Sequence, residues 1–147
     1  MVNGPNLNWL GKREPKIYGT QSWAAIWGAL EKWGRRNEVD LDYFQSNHEG
    51  ALIDYLQDAS GRAAGIVFNP AALAHTSIAL RDCVAMLPVP LVEVHLTPIQ
   101  KREIFRHHSH VADAAAATIS GFGPDGYFLS LALLKHLLQL SSPVRGP

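Results

Sequence analysis

The 147 residues carry 13 lysines and arginines against 13 aspartates and glutamates, so the formal net charge is zero. A neutral chain has no bulk attraction for nucleic acid or acidic membrane surfaces, and neither is expected as a partner. Hydrophobic residues make up 47% and charged residues 18%, enough for one packed domain, with no run of about 20 apolar residues to span a bilayer.

The chain opens on Asn3-Gly4-Pro5-Asn6 without a basic-then-apolar leader, so no secretory signal is expected. Met1 and Val2 leave room for only a short first strand before that turn. Gly11 to Gly19 is too polar and interrupted for helix or strand and reads as a loop able to act as a lid. Trp23, Ile26, Trp27, Leu30 and Trp33 recur at helical spacing behind Ser22, a candidate N-cap. Val39 to Phe44 alternates apolar and polar residues, which predicts a half-covered strand. Leu52, Ile53 and Leu56 mark a helix over Glu49–Ala59, and Gly65–Phe68 reads as a buried strand. A third helix is carried by Ile78, Val84 and Leu87, followed by a buried strand over Pro90–Val94. A fourth, short helix is predicted over Ile99–Phe105, then a strand at Ala117–Ile119 and a helix over Asp125–Leu140 that is apolar around most of its girth. That girth suggests burial against a sheet or another subunit. Strands alternating with helices through short links predict an α/β fold: a three-layer sandwich around a five-stranded parallel sheet. Residues 1–140 are expected to form one domain and 141–147 a disordered tail. Cys83 has no cysteine to pair with and reads as a core thiol, which favours a reducing, cytoplasmic setting.

Ligands of open parallel sheets bind beyond the carboxyl ends of the strands, and each predicted strand here ends in polar residues. Asn3 and Asn6 follow the first; Ser46, Asn47 and His48 the second; Asn69 and His75 the third; Glu93, His95 and Thr97 the fourth; Ser120 the fifth. Glu93 and His95 stand out, because period-two spacing puts both on one face of a buried strand. A carboxylate beside an imidazole fixes the ring's tautomer and supports proton transfer. In the loop, Arg13 lies near Tyr18, and a fixed cation favours phenolate, a competent base for a C–H proton beside a carbonyl. Arg102 and Arg106 are four apart and suit a carboxylate or diol on one helical face. His107, His108 and His110 invite a metal, but no acidic or cysteine ligand flanks them at usual zinc spacing, and no metal or other cofactor is expected. Gly121 to Gly126 is a weak echo of a phosphate loop, interrupted by Pro124.

The motifs Asn3-Gly4-Pro5-Asn6-Leu7-Asn8, Arg13-Glu14-Pro15 with Tyr18-Gly19, Phe44 to Gly50, His75-Thr76-Ser77, Glu93-Val94-His95 and Phe105-Arg106-His107-His108-Ser109 occur in this order. Together they closely resemble type II 3-dehydroquinate dehydratase, from Asn3 to about Leu134. The resemblance implies a flavodoxin-like fold, a homododecamer built as a tetramer of trimers, and no metal or organic cofactor. It implies trans elimination of water from 3-dehydroquinate through an enolate, in shikimate biosynthesis or quinate catabolism. By the same resemblance Tyr18 is the base for the C2 proton, with Arg13 lowering its pKa, and Asn6 holds a water near the enolate oxygen. His95, oriented by Glu93, is the acid for the departing hydroxyl. Asn69, His75 and Arg106 match substrate contacts, the Leu96 and Thr97 amides match a carboxylate-binding pair, and Asp82 matches a residue reaching a neighbouring subunit's site. Three departures stand out: Ala71 where the family has Gly, Ala74 where it has Thr, and Thr97-Pro98 where Ser-Asn is usual. Ala71 would be strained at positive φ, and Pro98 brings no N–H. These departures leave open a catalytically impaired member acting as a ligand-binding or assembly module.

Overall fold

The computed structural model describes residues 1–12 and 19–141. Five parallel strands, β1 (Val2–Asn3), β2 (Phe44–Gln45), β3 (Ile66–Asn69), β4 (Leu91–His95) and β5 (Ala117–Ser120), lie in the order β2-β1-β3-β4-β5. Four helices cover them: α1 (Trp23–Asn37), α2 (Glu49–Ser60), α3 (Ile78–Met86) and α4 (Asp125–Ser141). This is the expected three-layer, flavodoxin-like architecture, and its strand order reverses between β1 and β3.

The layers follow from side-chain alternation along the strands. On β3, Ile66 and Phe68 face a core shared with Leu52 and Leu56 of α2 and Leu80, Cys83 and Val84 of α3. Val67 of β3 and Val92 and Val94 of β4 face the opposite core, filled by Ile26 and Leu30 of α1 and Tyr127, Leu131 and Leu134 of α4. Cys83 is a free thiol in that first core, as expected. Helix α1 starts where Ser22 accepts from the Ala25 N–H at 3.3 Å, the predicted cap. Helix α4 buries one face only; Leu129 and Leu140 remain exposed. No helix among the described residues is long and apolar enough to cross a membrane.

Two predicted elements differ. The strand expected over Val39–Phe44 pairs only at Phe44–Gln45, because its neighbour β1 offers two ladder positions, Val2 opposite Phe44 and Asn3 opposite Gln45. The helix expected over Ile99–Phe105 is instead two 3-10 turns, Ile99–Lys101 and Ile104–Arg106. Between them Arg102 is extended at ψ −168°, and its carbonyl accepts from the His107 ring at 2.9 Å instead of a helical N–H. The expected tail falls, for residues 142–147, outside the described residues.

Candidate active site

Three segments leaving the carboxyl ends of β1, β3 and β4 enclose one cavity at the strand-order reversal. The first is the turn after β1. Gly4 is required here, since a Cβ would come within 2.5 Å of the Pro70 carbonyl oxygen, and its N–H donates to the Asn69 carbonyl at 2.7 Å. Asn6 follows in the left-handed region at φ 67°, its N–H bound to Asn47 Oδ1 at 2.9 Å, and it lines the cavity with Leu7 and Leu10.

The second segment begins at Asn69, whose side chain is spent on structure as well as facing the cavity. Its Nδ2 donates to the Tyr127 hydroxyl at 3.0 Å, which in turn donates to Asn3 Oδ1 at 2.8 Å. Burial pushes the Tyr127 phenol well above its ordinary pKa, so it stays a donor. Asn69 Oδ1 accepts from the Ala71 N–H at 3.1 Å. Ala71 has φ 52°, the positive value at which the extra methyl was expected to be strained. The 3-10 turn Ala71–His75 then brings His75 to the cavity. Its Nδ1 donates to the His108 carbonyl at 2.8 Å, which leaves Nε2 as the lone-pair nitrogen. Burial lowers the His75 pKa, against the raising effect of that hydrogen bond.

The third segment carries the expected pair. Glu93 is fully buried and His95 nearly so, with His95 Nε2 donating to Glu93 Oε1 at 2.9 Å. Glu93 also accepts from Ser109 Oγ at 2.6 Å and from Thr118 Oγ1 at 3.1 Å. A buried carboxylate is tolerable when its lone pairs are filled in this way. It leaves His95 Nδ1 as the ring nitrogen free to act. The His75 and His95 rings lie 6.1 Å apart, inclined by only 17°. Leu96 and Thr97 line the same cavity, and among the described residues neither N–H donates to another backbone carbonyl. Pro98 leaves this intact: Thr97 Oγ1 accepts from Arg102 at 3.2 Å and the Thr97 carbonyl from Ser120 Oγ at 3.1 Å.

Arg102, between the two turns, and Arg106, at the end of the second, do not share a helical face, yet both line the cavity. Glu103 braces them, with its Oε2 at 3.4 Å from Arg102 Nε and 2.9 Å from Arg106 Nε. Asp82 lies on the exposed face of α3, paired with Arg81 at 3.0 Å and away from this chain's cavity. Arg13 and Tyr18 lie outside the described residues. Three hydrogen-bond partners of the site were given no role by the sequence reading: Ser109, named only within a motif, Thr118 and Tyr127. Thr118 stands directly opposite Glu93 in the β4–β5 register, a signal invisible until two strands are paired. The absence of an acidic neighbour for the histidines also needs correction, because Asp113 folds back to 3.7 Å from His108 Nε2.

A carboxylate-backed imidazole and two arginines around a cavity at the switch point of a flavodoxin-like sheet mark the site of an α/β enzyme, in chemistry suited to an anion and to proton transfer. Residues 1–135 match the profile of the family Dehydroquinase class II. The 3-dehydroquinate dehydratase of a Synechococcus strain is 52% identical over 138 residues, covering 93% of this chain and 94% of that protein. That of Bartonella tribocorum is 49% identical over 138 residues, 94% and 93% of the two chains. The type II dehydroquinase of Butyrivibrio crossotus superposes with a TM-score of 0.89 at 38% identity, over 91% of this chain and 94% of that one. The chain belongs to the class II dehydroquinase family.

Proposed function

We propose that this protein is a hydro-lyase that removes water from 3-dehydroquinate to give 3-dehydroshikimate through an enolate. Family membership and the names of its relatives support the reaction; the single geometric observation that carries it is cavity-lining His95 backed by buried Glu93. The C2 proton passes to Tyr18, aided by Arg13, and the electron pair becomes the enolate, stabilised through a water held by Asn6. Collapse of the enolate expels the hydroxyl, which takes a proton from His95 Nδ1 and leaves as water. Glu93 holds the other ring proton and offsets the charge of the doubly protonated ring. The Leu96 and Thr97 amides suit the substrate carboxylate, and Asn69, His75 and Arg106 its oxygen functions. Each of these roles is carried from the family's motifs onto these positions.

The catalytic unit is the domain formed by residues 1–140, working in shikimate biosynthesis or quinate catabolism as a homododecamer in which Asp82 reaches a neighbouring subunit's site. The lone buried thiol of Cys83 fits a reducing cytoplasm. Incubation with 3-dehydroquinate should raise the ultraviolet absorbance of the conjugated enone product; no rise with folded, assembled protein overturns this reading. The strain at Ala71 favours one second reading, an impaired member that binds without turning over. Calorimetric binding of the substrate without product would establish it.

A further inference from the structure

Outside the cavity, three metal-ligating side chains converge on the surface of the segment after the Ile104–Arg106 turn. His108 Nε2 lies 3.2 Å from His110 Nδ1 and 3.7 Å from Asp113 Oδ2, and the three ligand atoms all fall within 4.8 Å of one another. Bonds of about 2.0–2.1 Å around a tetrahedral ion set its ligands roughly 3.3 Å apart. Two edges of the triangle are therefore already near coordination length, and a small turn of exposed Asp113 toward half-buried His110 closes the third. The two imidazole rings stand at 88° to one another, edge to face instead of stacked.

The backbone presets this convergence. Ser109 turns inward to Glu93 at 2.6 Å, which sends its neighbours His108 and His110 to the outer side. The His110 N–H donates to the Ala74 carbonyl at 2.9 Å, and the His108 carbonyl accepts from His75, so both ligands sit on a braced chain. Asp113 follows one short turn later. Bringing two imidazoles and a carboxylate this close without a cation gains little on an exposed surface.

We propose that His108, His110 and Asp113 form a surface site for a borderline divalent transition-metal ion, zinc being the reference case, with a fourth position left to water. Two nitrogen ligands and one oxygen suit such an ion, whereas magnesium and calcium take oxygen ligands. The site is separate from the cavity and takes no part in the dehydration.

Tag-free, chelator-stripped protein in its native assembly, titrated calorimetrically with Zn²⁺ at about pH 7.5, should bind one ion per chain. His110→Ala and Asp113→Asn should each weaken binding at least about tenfold, while His136→Ala, on α4, leaves it unchanged. Co²⁺ should give the visible absorption of a tetrahedral site, lost in the same two variants, with circular dichroism confirming that they fold. Absence of Zn²⁺ binding, equal competition by Mg²⁺, or unaltered affinity in both His110→Ala and Asp113→Asn overturns the proposal.

Discussion

Ala71 occupies the left-handed region at φ 52° because its N–H is held by Asn69 Oδ1. A methyl there costs about 1 kcal/mol relative to glycine. Ala71→Gly should therefore raise the unfolding free energy by about 0.5–1 kcal/mol, read as a higher denaturation midpoint at unchanged slope. His75 gives a pH signature of defined sign. Burial lowers its folded pKa, so below the unfolded value of about 6.5 the unfolded chain takes up a proton that the folded chain resists. Its contribution is fully present above that pH and is lost as pH falls below it. The stability difference between wild type and His75→Gln should change with pH below about 6.5 and be flat above it. Glu93→Gln keeps the shape but removes the charge and one acceptor oxygen; kcat should fall by about 10²-fold or more with KM little changed. A KM effect alone would remove Glu93 from the acid's support.

At the scale of elements, β5 reaches the site through Thr118, on Glu93, and Ser120, on the Thr97 carbonyl. Thr118→Val keeps the strand former but takes a donor from buried Glu93, and should lower stability by about 1 kcal/mol, measured by denaturant titration. The long helices were legible because periodic apolar residues repeat over several turns and are overdetermined by packing: Ile26 and Leu30 face the core as their spacing requires. β2 was not, because alternation at Val39–Phe44 reports a face, while a ladder needs a partner of matching length. The Ile99–Phe105 stretch misled for a different reason. Its helical spacing is real, but the His107 ring satisfies the Arg102 carbonyl and ends the first turn. At the site, strand-borne Glu93 and His95 were readable from period two alone. Ser109, Thr118 and Tyr127 were not, since each contributes by a contact between elements distant in sequence.

For the whole molecule, the exposed apolar residues are informative. Ile78 is 53% exposed, Met86 69%, Ile104 85% and Phe105 68%, and large apolar surface on a folded chain marks an interface. Ile104 and Phe105 share their turn with cavity-lining Arg106, so this surface lies next to the cavity. Sedimentation should find a species near twelve times the 16.1 kDa chain. Phe105→Asp should shift it to smaller species and reduce turnover together; a monomeric wild type would refute the assembly.

The pairing of Glu93 with Thr118 also bears on how the sheet finds itself. A slip of β5 by one residue would place Ala117 or Ile119 opposite Glu93, and neither carries a hydroxyl. The buried carboxylate would then lose a donor, a penalty of about 1–3 kcal/mol added to the reversal of every side chain on the slipped strand. The Thr118 hydroxyl that braces Glu93 thus also penalises a misregistered β5. One hydrogen bond thereby serves both the buried carboxylate and the register of the strand beside it.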